Sequence, residues 1–464
     1  MCGIVGGFNP RMEEAMTALA HRGPDGRGCW QRDDLQLGHV RLAVMDLDER
    51  SGQPFRRDNL VLVYNGELWN YLELRAELAA SGERFTTPGD TEVVAAALLR
   101  WGAGALPRFQ GMFALAWSLG EGDFYLARDR HGEVPLHWAR ALRPLFASEL
   151  KALLAAGAHP AAVRWFPPGC WARCGLDGTQ LFRWYVTPCR PAAVNLAEGA
   201  ALVRAGLCQG VEERTMTDVP ACLLLSGGID SAAIAALLAG KLPGLVAYVA
   251  VHDPRSADLT AARQVAAHVG LELREVAVAV PNPDDLAAVV RAVEMPHKAQ
   301  VEIGWPCLHL ARRMQEDGFK VTFSGEGSDE LWASYGFAER ALLDPACDWH
   351  AYRARLFDGQ HRKNFARCNK VFMARGVECR LPFLCTSLVE AALSLPRATV
   401  QLPRRPKAVM QEAFADLLPP RVVARRKLAF QDGMGLKVEM AGAVHDPARY
   451  YRAEFRREFR GVAA

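Results

Sequence analysis

The chain has 464 residues, half of them hydrophobic and 23% charged, which is material for two or three domains and unlike a disordered or fibrous chain. Its 55 lysines and arginines nearly balance 52 aspartates and glutamates, and a net charge of +3 sets up no field for nucleic acid or a membrane surface. The longest apolar runs, 232–239 and 245–251, fall far short of the roughly 20 residues of a membrane span. Only Met1 precedes Cys2, so no signal peptide is expected and the expected location is the cytoplasm. The 12 cysteines are scattered, and Cys170 with Cys174 lacks the second pair a zinc site needs, so most are expected to be small buried hydrophobes of a reduced protein.

Up to about residue 185 the chain alternates short apolar runs (60–64, 112–118, 124–127, 145–147) with Gly, Pro and Asp, and shows helical spacing only over 71–81 and 92–101. That pattern predicts antiparallel sheets with a few helices. Thr187-Pro188-Cys189-Arg190-Pro191 breaks it and reads as a linker. Beyond it, helices alternate with fully apolar strands at 221–225, 245–251, 273–278 and 320–323, which predicts a parallel sheet covered on both faces. After about 344 the pattern is mostly helical, and the arginine-rich end (Arg449, Arg452, Arg456, Arg457, Arg460) reads as a solvated helix or tail.

Chemistry-bearing residues stand at both ends of this plan. Once Met1 is removed, Cys2 becomes a terminal nucleophile whose own α-amine, titrating near pH 8, can take the thiol proton. Four segments follow in order: His21-Arg22-Gly23-Pro24-Asp25-Gly26, His39-Val40-Arg41-Leu42-Ala43-Val44, Tyr64-Asn65-Gly66-Glu67 and Gly89-Asp90-Thr91-Glu92. With Phe146-Ala147-Ser148-Glu149-Leu150-Lys151, they resemble the glutaminase domain of class II glutamine amidotransferases, within the N-terminal nucleophile hydrolases. The resemblance implies that Arg41 holds glutamine's carboxylate, that Asp90 and Glu67 stand near its ammonium, and that Leu42, Val44 and Asn65 complete the pocket. It also implies that the Asn65 amide and the Gly66 N–H donate to the oxyanion. Taken singly, Asn65-Gly66 reads better as a hairpin turn and Arg41 as a surface ion pair; the full set of motifs reverses that preference.

In the second half, Leu225-Ser226-Gly227-Gly228-Ile229-Asp230-Ser231 ends an apolar strand and opens a helix. Glycines permit close backbone approach there, and N–H groups at a helix start bind anions. Neither a Walker lysine motif nor GxGxxG is present. The string resembles the PP-loop of ATP pyrophosphatases, which implies ATP contacts from Leu225, Ser226, Gly227, Gly228, Asp230, Ser231 and Val251. Phe323-Ser324-Gly325-Glu326-Gly327-Ser328-Asp329-Glu330 also follows an apolar strand. If the two strands end together, Asp230 and Asp329 can share Mg²⁺ on the phosphates, Ser324 and Gly325 can touch the nucleotide, and Glu326 can act as general base.

Combined, and with Gly376-Val377-Glu378-Cys379-Arg380-Leu381-Pro382-Phe383-Leu384 and Arg426-Lys427-Leu428-Ala429-Phe430-Gln431-Asp432-Gly433, the motifs resemble glutamine-hydrolysing asparagine synthetases over about residues 2–435. The implied fold is an α+β N-terminal nucleophile hydrolase domain of layered antiparallel sheets, followed by an α/β PP-loop domain with a helical C-terminal part. The expected boundaries are 2–185 for the first, 186–195 for a linker, 196–440 for the second and 441–464 for a basic tail. Lys427 is implied to stabilise the pyrophosphate leaving charge, with Arg380 structural. The expected activity is ATP-driven amidation of a carboxylic acid through an acyl-adenylate, with glutamine as donor and aspartate as first candidate acceptor.

Several positions depart from the family pattern where the acceptor is expected. Ala333-Ser334-Tyr335 replaces Gly-Gly-Tyr, Cys385 replaces an acid, and Glu302 replaces an arginine, with Lys298 and Arg340 as the nearby cations in sequence. These departures keep a second reading open: amidation of a different or carrier-protein-bound carboxylate in a secondary-metabolite pathway. A β-lactam-synthetase-like enzyme is disfavoured by the intact Cys2, and a non-catalytic scaffold by retention of Cys2, Asp230, Asp329 and Lys427 together. A carrier protein and a second copy of the chain are the candidate macromolecular partners.

Overall fold

The computed structural model describes the chain except residues 121, 342, 343, 345, 404, 426–435, 437–441, 463 and 464, and the side chains of 337, 339 and 340. Two six-stranded sheets form the first part. The first contains β1 (Gly3–Phe8), β2 (Gly26–Arg32), β3 (Leu35–Arg41), β8 (His137–Ala139), β9 (Leu145–Ala147) and β10 (Val163–Trp165), in the order β10-β8-β9-β1-β3-β2. The second contains β4 (Phe55–Arg57), β5 (Leu60–Leu68), β6 (Gly111–Ser118), β7 (Phe124–Arg128), β11 (Cys170–Gly175) and β12 (Gly178–Arg183), in the order β12-β11-β7-β6-β5-β4. All their ladders are antiparallel.

The side chains of β5 explain the layering. Val61 and Val63 point into the core shared with the first sheet, whereas Leu62 and Tyr64 point into a separate core with Leu74, Leu78, Val93 and Val94. Those last four belong to α2 (Tyr71–Ala80) and α3 (Asp90–Trp101), which cover the outer face of the second sheet. On the far side, α1 (Met12–Leu19) and α4 (Leu150–Ala155) cover the first sheet. The result is a helix–sheet–sheet–helix stack in which strands buried on both faces lose the polar alternation of a one-sided sheet.

No regular element lies between Arg183 and Leu196, where α5 (Leu196–Glu213) begins behind an Asn195–Glu198 capping box. The second part holds a five-stranded parallel sheet of β13 (Ala221–Leu224), β14 (Val246–Val251), β15 (Glu272–Ala277), β16 (Val321–Phe323) and β17 (Glu378–Arg380), in the order β15-β14-β13-β16-β17. The crossovers run through α6 (Ile229–Leu238), α7 (Ala257–Val269), and the pair α8 (Pro283–Val293) and α9 (Lys298–Glu316). The strand order reverses at β13, so its C-terminal end and that of β16 flank a topological switch point, the place where open α/β sheets take ligands.

The arginine-rich end forms a helix, Pro447–Glu458, whose Tyr451 and Phe455, with Phe459 just beyond, are buried, while Arg452, Arg456 and Arg457 face solvent. Six cysteines are buried, four half-buried and two (Cys29, Cys189) exposed, and all are free. Among the described residues no helix is long and apolar enough to cross a membrane.

Candidate active sites

Cys2 lies one residue before β1 and is held from several sides. Its N–H donates to Asn65 Oδ1 at 2.8 Å, its carbonyl accepts from Arg22 Nε at 2.9 Å, and its Sγ is 3.7 Å from the Leu42 carbonyl. Asn65 is placed by β5, and its Nδ2 donates to Ser148 Oγ at 3.3 Å; that oxygen also accepts from the Ile4 N–H at 2.9 Å. Burial pushes the Cys2 thiol up, opposed chiefly by the positive amino terminus. Gly66 follows Asn65 where a Cβ would stand 2.1 Å from the Met112 carbonyl, so the β5–β6 ladder admits only glycine there.

The expected glutamine contacts line the same neighbourhood. Arg41 ends β3 and turns to the carbonyls of Asp48, at 2.8 Å, and Asp46. Asp90 opens α3 and accepts from the Leu68 N–H and the Tyr64 hydroxyl, both at 2.9 Å; burial still lifts its carboxyl to about 6. Glu67 is raised well above the carboxylate range by burial and by the charge of Glu378. Leu42 and Val44 are buried beside them.

Met1 is buried between the two parts. Its ammonium pairs with Glu378 of β17, and its Sδ accepts from Asn369 Nδ2 at 3.0 Å. Arg22 spans the same boundary, bonding Glu149 at 2.7 Å and Asn369 at 3.0 Å. In the sequence Arg22, Ser148 and Glu378 are only letters of their motifs; their contacts arise where the first sheet meets the edge strand β17.

The second site stands at the switch point. Ser226 and Ser231 hydroxyls are 3.1 Å apart, and Ser231 Oγ also donates to the Gly228 carbonyl at 3.1 Å, folding the loop onto the start of α6. Gly227 has φ of +75°, and a Cβ there would stand 2.5 Å from the Asp258 carbonyl, so the loop can press against α7 only as glycine. Arg425 fastens the contact by bonding the Gly227 carbonyl at 3.2 Å and pairing with Asp258. Leu225 directly follows β13 and Val251 ends the adjacent β14. From the end of β16, Ser324 and Gly325 run alongside, with a Gly325 Cβ position 3.2 Å from Asp230 Cβ.

Asp230 and Asp329 are brought together. Lys407 Nζ lies 2.5 Å from Asp230 Oδ2 and 2.6 Å from Asp329 Oδ1, and is almost wholly buried. Ser328 Oγ donates to Asp230 Oδ1 and Ser334 Oγ to Asp329 Oδ1, both at 2.6 Å. A pair of carboxylates around one cation suits Mg²⁺, whose remaining ligands would come from phosphates and water; among the described residues no cluster of three or more metal-ligating side chains occurs. Lys407 was missed in the sequence because a single lysine after Arg405-Pro406 carries no motif. Lys427 lies outside the described residues.

Glu326 pairs with buried Arg367, whose other nitrogen donates to Gln300 at 2.9 Å and Asn364 at 3.0 Å. Asn364 and Tyr335 both donate to Glu330, at 2.7 and 2.6 Å, and burial with the charge of Glu326 raises that carboxyl. Glu302 is buried in α9, 3.7 Å from Lys298 and near Tyr451. The Arg340 side chain is outside the described residues.

Residues 1–165 match the family described as glutamine amidotransferase domain, and residues 202–363 and 348–454 the family described as asparagine synthase. The chain is 32% identical over 450 residues to an asparagine synthetase [glutamine-hydrolyzing] of Triphysaria versicolor, covering 92% of this chain and 75% of that one. It is 31% identical to asparagine synthetase B [glutamine-hydrolyzing] of Escherichia coli (strain K12), covering 94% and 83% respectively. A solved structure titled as the allosteric regulatory enzyme of purine biosynthesis aligns with a TM-score of 0.37 at 19% identity, over 62% of this chain and 77% of that one.

Proposed function

The chain belongs to the glutamine-hydrolysing asparagine synthetase family, an ATP-using carbon–nitrogen ligase, and we propose that it amidates a carboxylic acid in two separated steps, with aspartate as first candidate acceptor. In the first step Cys2 Sγ attacks the side-chain amide carbon of glutamine, the Asn65 amide and Gly66 N–H receive the oxyanion, and ammonia leaves. Water then cleaves the thioester to glutamate. Arg41 would hold the α-carboxylate of glutamine, with Asp90 and Glu67 at its ammonium.

In the second step an acceptor carboxylate oxygen attacks the α-phosphorus of ATP and pyrophosphate departs. Ammonia attacks the acyl carbon of the adenylate, AMP leaves, and Glu326 takes the surplus proton. Asp230 and Asp329 would hold Mg²⁺, which neutralises phosphate charge when bound, and Lys407 with Lys427 would face the pyrophosphate. The observation that carries this half is the meeting of Asp230 and Asp329, from helix starts nearly 100 residues apart, around the Lys407 ammonium just beyond the ends of adjacent parallel strands. On these grounds the glutaminase part is taken as 2–185 and the synthetase part as 196–440.

A second reading, an acceptor other than aspartate, free or bound to a carrier, is favoured by Glu302. It stands where the family resemblance offers an arginine, and Arg367 is already committed to Glu326. A panel of carboxylic acids supplied with glutamine, ATP and Mg²⁺, scored for pyrophosphate and amide product, tests both readings. Saturation by micromolar aspartate with asparagine as product supports the first. Turnover of another acid with weak use of aspartate supports the second, and absence of pyrophosphate release with every acid and with aspartate overturns the proposal.

A further inference from the structure

A cavity of about 1110 Å³ opens between β10, the segment after β12, the turn 359–362 and the C-terminal helix. None of the residues assigned above to glutamine or ATP lines it. Its rim carries Arg164, Arg183, Arg362, Arg456 and Arg460, all exposed, contributed by four separate stretches of chain. None of the five lies within ion-pair distance of a carboxylate among the described residues. Exposed arginines elsewhere on this molecule do pair, as Arg27 with Glu13, Arg263 with Glu275 and Arg312 with Glu316. Two carboxylates reach the cavity: Glu294 is held by Lys370 and Lys151, and Asp358 is pushed up by burial despite the charge of Arg183. Five guanidinium groups without a carboxylate partner among the described residues, Arg164 among them also donating to the Ala161 and Val163 carbonyls at 2.8 and 2.7 Å, create a positive potential suited to phosphate, sulfonate or carboxylate.

Carbon surface makes up the floor: Trp165, Tyr185, Phe357 and Phe455 line it beside the rim. His131 joins them and is 8% exposed, and among the described residues neither ring nitrogen has a hydrogen-bond partner. Its ring meets Tyr185 and Phe357 edge-on, at 5.7 and 5.4 Å between centroids. Arginines alone would suit an inorganic ion, but the aromatic floor selects a ligand with a body, and the volume matches one small molecule.

We infer that this cavity binds an organic polyanion, its negative groups on the arginine rim and a flat aromatic or apolar body on the Trp165–Tyr185 floor. The inference stands independently of which acid the enzyme amidates. Pyranine, a pyrene carrying three sulfonates, is the probe: its fluorescence anisotropy is titrated with the full chain while ATP, Mg²⁺ and glutamine are saturating. Saturable one-to-one binding is expected. It should weaken roughly tenfold or more in the double variant Arg164→Ala/Arg456→Ala, the loss of at least one charge-assisted contact. Trp165→Ala should weaken it as well, while Arg27→Ala, on a distant exposed arginine, should leave it unchanged. No saturable binding, binding indifferent to the rim and floor variants, or an equal loss in Arg27→Ala would overturn the inference.

Discussion

The thiol of Cys2 sits among groups that serve one domain, whereas Lys407 serves the other, and single substitutions should separate them. Cys2→Ala should abolish glutamine-dependent amide formation yet leave amide formation from ammonium salts, because the site proposed for ATP and the acceptor lies at the switch point of the other part. Loss of both activities in the folded variant, assayed side by side, would show the sites are not separable. Lys407→Gln removes the ammonium that bridges Asp230 and Asp329 and should depress pyrophosphate release, while glutaminase turnover stays near its starting value. His131 gives a pH signature. Burial drives its pKa down to about 3, against roughly 6.5 unfolded, so the unfolded chain binds the extra proton between those values. Its neutral form contributes stability fully above pH 6.5, and that stability is lost as pH falls. His131→Phe should therefore gain on the parent by about 2 kcal/mol between pH 7.5 and pH 5, read as a shift in the difference of their Tm values; a constant difference would show that burial does not shift the titration of His131.

At the scale of elements, the boundary between the two parts is stitched by a short helix. Glu294, just after α8, accepts from the N–H groups of Leu150 and Lys151 at 2.8 Å each and so caps α4 in the other part. Its carboxylate also meets buried Lys370 at 2.6 Å, and Lys151 continues the chain of charges to Glu149 and from there to Arg22 at the Cys2 carbonyl. Glu294→Ala strands the buried Lys370 ammonium and should cost about 3–5 kcal/mol, seen as a lower Tm. The double variant Glu294→Met/Lys370→Met should recover part of that loss, since no unpaired charge remains; additive losses would show that the pair is not coupled. Elements themselves were largely legible: runs at 60–64, 112–118 and 145–147 are strands, 221–225 is a strand and 71–81 a helix each apart from the last residue, because apolar periodicity is local. The docking of α4 on Glu294 was not legible, since a carboxylate 143 residues away carries no local signal.

Over the whole molecule, the edge strand β17 of the parallel sheet is the meeting line. Glu378 faces Met1 and Arg380 there, and burial of all three leaves the pairs to hold the charge. A chain that retains Met1 should have no glutaminase activity but keep ammonium-driven synthesis, as checked by mass spectrometry of the amino terminus beside both assays; glutaminase turnover by the Met1-bearing form would show that the free α-amine is not the base. Asp230→Asn should lower pyrophosphate release roughly hundredfold, a few kcal/mol of lost charge stabilisation, while glutamine hydrolysis continues. Normal pyrophosphate release would remove Asp230 from phosphate chemistry.

Composition and apolar periodicity were enough to divide the chain into an antiparallel part and a parallel part, and the family resemblance carried by the ordered motifs brought forward Cys2, Asn65, Asp90, Asp230, Asp329 and Glu326 as candidates. Glycine loops, terminal nucleophiles and strand–turn–helix junctions are local in sequence, so their chemistry can be read there. What joins those residues is not local. Ser148 beneath Asn65, Lys407 between two aspartates, Arg367 on Glu326 and Arg22 across to Asn369 each bring together groups at least 40 residues apart. Only the packing of the layers decided which lysine meets which carboxylate, and burial set the ionisation of Cys2, Asp90 and Glu330, because desolvation depends on every neighbour at once.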